Sequence, residues 1–200
     1  MGYELSAVIA DADLLRGQTA DLDHAVLAEL RQEMVLLPVT PLLVEELTGH
    51  LPDFDNEARS VDRPFHLVLG PGLTRVLAEW SHLGQVGYLE AGFSGGTGYQ
   101  AATVWLDGRM VWGPAFDDGF TAPRPDWPIN GALNRLGVEP GPWIDLFAEV
   151  GLHLMSNTDG WLAHGRRGLT PDHYEELAEE WESRQNLPDG QQPYPSSHVG

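Results

Sequence analysis

The chain has 200 residues, 42% of them hydrophobic, which suits one domain with a substantial core. It carries 30 acidic against 11 basic residues, a formal charge of -19; such a surface repels phosphate backbones and anionic lipid, so it argues against binding nucleic acid or membranes. It contains no Cys, which excludes disulfides, thiolate metal sites and cysteine nucleophiles.

Tyr3 to Ala10 reads as a first strand, and Asp11 or Asp13 can cap a short helical turn holding Leu14 and Leu15. Asp21 opens a second helical pattern through Leu22, Val26, Leu27 and Leu30. The run that begins at Glu33 and ends at Pro38 reads as a buried strand. Thr40-Pro41 then starts a helix that Gly49 ends. His50 to Pro64 reads as a loop and Phe65 to Gly70 as a strand. The helix after it places Leu73, Val76, Leu77 and Trp80 on one face.

Three β runs follow, at Gln85 to Phe93, Tyr99 to Trp105 and Arg109 to Gly113, with Asp107-Gly108 as a hairpin turn between the last two. Trp105 and Trp112 bracket that turn and are candidates to pair across it. Pro114 to Pro128 reads as a loop. Helices are predicted near Ile129 to Leu136 and Trp143 to Val150, and His153 to Leu169 reads as irregular. Thr170-Pro171 opens a last helix with Tyr174, Leu177, Ala178 and Trp181 inward. Residues 1–186 form the expected domain, and 187–200 have the composition of a disordered tail. Hairpin-connected strands bracketed by helices predict an α+β fold, its sheet largely antiparallel and its helices mainly on one face. A mixed α/β sheet is the alternative, because Phe65 to Phe93 also fits a strand–helix–strand unit.

The stretch from Glu90 to Trp105 holds Gly92, Gly95, Gly96 and Gly98. A phosphate-cradling loop of the P-loop type requires a Lys, and every basic residue here is Arg. A dinucleotide fingerprint requires its third glycine to open a helix, and the residues after Gly98 read β. The glycines therefore suit a strand reversal with positive φ at one or more of Gly95, Gly96 and Gly98, or a bare backbone surface open to a ligand. Glu90 and Gln100 flank the turn inside β patterns and could pair with one another.

Asp117-Asp118 could bind a cation or serve as acid and base, or simply solvate a turn. No zinc spacing occurs among the eight His, and neither a metal nor a cofactor is expected. His153 and His164 share a segment with Asn157, Asp159 and Trp161. Seven Trp are many for this length; Trp127, Trp143 and Trp161 adjoin loops, where an exposed ring would anchor a protein partner.

The stretch YLEAGFSGGTGYQAATVW is similar to a strand–GGxGxQ–strand pattern of small uncharacterised bacterial proteins. DWPINGALNRLGV, DLFAEVGL and NTDGWL resemble the C-terminal part of the same group. The resemblance covers about Val86 to Leu162 and places Gly95, Gly96, Gly98 and Gln100 on one motif and Asn130 in the Pro-Ile-Asn of the other. These proteins look like immunity-protein-like families of bacterial toxin systems. Strong acidity, the Trp count and the absence of a recognisable catalytic motif favour a non-enzymatic binder of a basic protein, of immunity- or antitoxin-like type. The lack of Cys, of a basic n-region and of a membrane-length apolar run makes a cytoplasmic location the expectation. A homo-oligomeric or regulatory domain and an enzyme using loop carboxylates are the alternatives.

Overall fold

In the computed structural model, residues 2–52, 69–95, 97–173, 175, 176 and 179 are described. Six strands form one antiparallel sheet: β1 (Tyr3–Asp11), β2 (Ala28–Glu29), β3 (Met34–Pro38), β4 (Val86–Ser94), β5 (Thr97–Leu106) and β6 (Arg109–Asp117). Their spatial order is β2-β3-β1-β4-β5-β6. β1 lies at the centre, with Ala7 opposite both Pro38 of β3 and Leu89 of β4. The α+β class and the antiparallel sheet are as the strand pattern predicts.

The helices cover both faces of the sheet, where the sequence pattern places them mainly on one. Alternation along the strands explains this, because both faces are apolar. On one face Val8, Ala10, Val35, Leu37, Val86 and Trp105 meet α1 (Ala12–Thr19), α2 (Pro41–Thr48) and α3 (Pro71–Trp80). On the other, Leu5, Ile9, Leu36, Leu89, Ala102 and Val104 meet α4 (Pro128–Arg135), α5 (Leu146–Glu149) and α6 (Thr158–Arg166). A sheet that is apolar on both sides requires two helical layers.

Local signals set the helix ends. The Asp11 carboxylate accepts from the Asp13 and Leu14 amides to start α1, and Thr40 Oγ1 accepts from Leu43 N to start α2. Gly49 closes α2 in the left-handed region at φ 78°. Residues 171–173, 175, 176 and 179 are helical, as Thr170-Pro171 predicts. Tyr174, Leu177, Ala178 and Trp181 lie outside the described residues. So do the tail 187–200, most of the predicted loop from His50 to Pro64, and the predicted strand at Phe65 save its last two positions, Leu69 and Gly70.

Two expectations are reversed. The segment after Asp21 is non-helical and delivers β2 to β3, while the segment read as irregular contains α6. The two trp residues of the β5–β6 hairpin do not pair: Trp105 packs with α1 to α3, and Trp112 lies against α4 on the opposite face. A register shift between Ala102 and Trp105 offsets them.

Candidate functional site

The glycine hairpin is an interlock of aromatics and bare backbone. Gly98 faces Phe93 across the hairpin and Gly92 faces Tyr99. A Cβ on Gly92 would lie 2.6 Å from Tyr99 Cε1, and one on Gly98 would overlap the Phe93 ring and sit 2.7 Å from Gly92 O. Each ring lies over the glycine opposite, filling the space a side chain would take. Only Gly95 needs the left-handed region among the described turn residues, at φ 61°. Gly96 lies outside the described residues. The ends of β1, β4 and β5 line a groove of about 590 Å³, with Glu4, Ser94, Thr97 and Asn157 as its polar groups.

Glu90 and Gln100 point to opposite faces, because Gln100 stands opposite Ala91 and Glu90 opposite Ala101. Their expected pairing is therefore absent. Gln100 turns toward α4, where its Oε1 accepts from Ile129 N at 3.3 Å. The residue preceding α4, Trp127, makes no side-chain cap, so Gln100 supplies an acceptor to that helix from the sheet. Asn130 holds two neighbours of α4: its Nδ2 donates to Arg124 O at 2.7 Å and its Oδ1 accepts from Phe147 N at 2.8 Å. Trp127 Nε1 donates to Ala122 O at 2.9 Å while the ring packs edge-on against Phe120. Gln100, Trp127 and Asn130 thus converge on the start of α4, and all three serve the scaffold.

Glu90 is buried on the other face. Tyr99 Oη donates to it at 3.0 Å and Tyr88 Oη at 3.4 Å. Burial pushes the Tyr88 phenol well above its usual value, and the Glu90 charge adds to this. Asp117 Oδ1 accepts from the amides of Gly119 and Phe120, so this carboxylate closes a turn, and Asp118 is exposed beside it. Trp161 is fully buried and sits edge-on to His164 at 5.3 Å, inside the core rather than at a surface. Burial lowers the His164 pKa. Among the described residues no group of three His, Asp or Glu could hold a metal, and no helix is long and apolar enough to cross a membrane.

A different region presents apolar side chains to solvent. Between α4 and α5 the chain exposes Pro140, Pro142, Trp143 and Ile144 in succession. Gln32 holds the start of this loop: its Nε2 donates to Glu139 O at 2.9 Å and its Oε1 accepts from Glu139 N at 2.8 Å. The buried Glu149 carboxylate accepts from Gln32 Nε2 at 3.3 Å and from Trp143 N at 3.4 Å. The Arg31 guanidinium lies 5.3 Å from the centre of the Trp143 ring, and His153 lies 5.1 Å from it on ring centroids. Arg31 also pairs with Asp172 at 3.6 Å and with Glu175. Of these residues the sequence reading singles out only Trp143 and His153, as a loop aromatic and a loop histidine. The available signal is the Pro-Gly-Pro-Trp-Ile run itself, apolar without either regular period.

Comparison with family models, with curated proteins and with solved structures returns no match.

Proposed function

We propose that this chain is a non-enzymatic, acidic protein-binding domain, an immunity- or antitoxin-like inhibitor of a basic partner. One observation carries the reading. The polar side chains of the central motifs are occupied by the fold, while the chain keeps a formal charge of -19. Gln100 and Asn130 are carboxamides that hold the start of α4, and Asp117 Oδ1 closes a turn on two amides, so these side chains support the scaffold. An acidic surface raises the encounter rate with a basic protein and competes for a cleft built to hold phosphate.

The test is affinity capture from lysate of the source cell on the immobilised chain, first at low and then at high ionic strength. The expected result is one basic protein, retained at low salt and released at high salt, whose activity the chain inhibits in a purified assay. Retention of no basic protein, in a lysate shown to express the neighbouring genes, overturns the reading.

A further inference from the structure

The loop from Glu139 to Leu146 is held in place by residues distant in sequence, yet its apolar side chains face outward. Trp143 is 41% exposed and Ile144 is 71% exposed. The turn that grips the loop contains two non-glycine residues in the left-handed region, Gln32 at φ 60° and Glu33 at φ 59°. That conformation costs about 1–2 kcal/mol per residue, and it places Gln32 against Glu139. Gly141 sits against the Glu149 carboxylate so closely that a Cβ there would overlap it. The far end is fixed by Asp145, whose Oδ1 accepts from Ala148 N at 2.9 Å. A loop secured at both ends and in its middle presents its side chains without an ordering cost on binding.

Beside this loop lies a cavity of about 320 Å³ whose apolar lining includes Pro125, Val138, Pro140, Trp143, Ile144 and Leu146. Its size is at the low end of the roughly 300–1,000 Å³ of ligand pockets. It suits one bulky side chain. Asp126 and Glu139 adjoin the lining in sequence, and neither forms an ion pair among the described residues. Of the nearby cations, Arg124 pairs with Asp145 at 3.6 Å and Arg31 with Asp172 and Glu175, while Arg135, next in sequence to the lining residue Asn134, forms no ion pair among the described residues.

We infer that this cavity is the docking site for a single aromatic or large aliphatic side chain carried on a basic segment of a partner protein. The apolar lining selects the anchor, and the exposed Asp126 and Glu139, which adjoin lining residues in sequence, together with the formal charge of -19, favour Lys or Arg around it. A second copy of this chain is disfavoured, because each copy brings a formal charge of -19. The inference rests on the proposed reading and gives the partner's contact a place and a chemistry.

The test uses the full chain and three labelled synthetic peptides. One has a central Trp flanked by Arg and Lys, one replaces that Trp with Ala, and one replaces the basic residues with Glu. Binding is followed by fluorescence anisotropy at about 20 mM and about 300 mM salt. The basic Trp peptide should bind at least about tenfold more tightly than either control and weaken at the higher salt. Ile144→Ser, at an exposed position, should weaken it by about fivefold or more with the unfolding midpoint unchanged. Trp143→Ala should weaken binding by a similar factor, and Glu139→Gln should weaken it by a smaller one. Equal binding of the Trp and Ala peptides overturns the inference. So does a dimer in light scattering that Ile144→Ser dissolves. If a basic partner captured from lysate binds Ile144→Ser and Trp143→Ala as tightly as the parent chain, the site fails while the binder reading stands. If the chain retains no basic protein at low salt, the binder reading fails as well.

Discussion

Gln32 and Glu139 exchange two hydrogen bonds across 107 residues of chain, with the Gln32 carboxamide standing in for the edge of a strand. The contact ties the turn between β2 and β3 to the loop that displays Trp143 and Ile144. Gln32→Ala should destabilise the protein by about 1–3 kcal/mol, since its two bonds to the Glu139 backbone and its bond to the buried Glu149 carboxylate are all lost. Gln32→Gly should cost less, because glycine accepts φ 60° without steric penalty. Glu33→Gly should stabilise by up to about 1 kcal/mol, because the Glu33 side chain makes no hydrogen bond or ion pair among the described residues to offset its left-handed backbone. Urea unfolding of the three variants checks the order. A Gln32→Ala variant as stable as the parent would show that the pairing with Glu139 contributes nothing.

Glycine substitutions should separate three mechanisms. Gly98→Ala should cost more than about 2 kcal/mol, because its Cβ meets the Phe93 ring and the backbone oxygen of Gly92. Gly95→Ala, with open space around its Cβ but φ 61°, should cost about 1 kcal/mol through strain alone. Gly17→Ala, inside α1 and meeting nothing within 4 Å, should stabilise by about 0.5–1 kcal/mol. Thermal unfolding of the set gives the ranking. Equal losses at Gly98 and Gly95 would mean that the hairpin relaxes around the ring and that the interlock is not a steric requirement.

The parts of the fold legible in the sequence are those determined locally. Alternation marks β4 to β6, and Asp107-Gly108 marks their last turn, where both residues adopt positive φ. Thr40-Pro41 and Gly49 bound α2 as their chemistry requires. The two misread segments are misread together because each depends on the other. Gly160 and Gly165 weaken the helical signal of α6, but a Cβ on Gly165 would lie 2.5 Å from Leu27 O. Gly165 is therefore the condition for α6 to lie on the non-helical segment after Asp21. That segment in turn gives up its helical periodicity to pair Ala28 and Glu29 with β3. Tertiary contact decides both, and no window of single-sequence periodicity contains both partners. The same holds for the exposed loop: the Pro-Gly-Pro-Trp-Ile run is visible, but the residues that immobilise it, Arg31, Gln32 and Glu149, lie elsewhere in the chain.

Asn130 and Gln100 fall on the two motifs that the family resemblance singles out, and their geometry makes them structural. Asn130→Ala should destabilise by about 2–3 kcal/mol, because the loss strands Phe147 N and Arg124 O near the buried start of α4. Asn130→Asp should be no better: it keeps an acceptor for Phe147 N but turns a carboxylate oxygen toward the Arg124 carbonyl. Gln100→Glu should retain more stability than Gln100→Ala, since an acceptor for Ile129 N survives at the positive end of α4. Circular dichroism melts measure all four. A variant that keeps its melting temperature but loses partner binding would move that residue from the scaffold to the interface.

Acid should destabilise the protein before its carboxylates titrate. His153 is held below its ordinary pKa of 6.5 by partial burial first and by the Arg31 charge second, with the charges of Glu175 and Asp145 opposing. His164 is lowered by burial. For a base whose folded pKa is depressed, the unfolded chain takes up the proton first as pH falls. Stability is therefore full above about pH 6.5 and declines as pH drops through the window between 6.5 and the lower folded values. The expected signature is a urea midpoint that is flat from pH 8 to about 7 and falls from there toward about 5. His153→Gln should flatten part of that slope while leaving the His164 part. It should also leave Trp143 stacked on Arg31, so peptide binding at the loop should persist at neutral pH. A midpoint that rises on acidification through this window would mean that the two imidazoles are charged in the folded state and that burial does not set their titration.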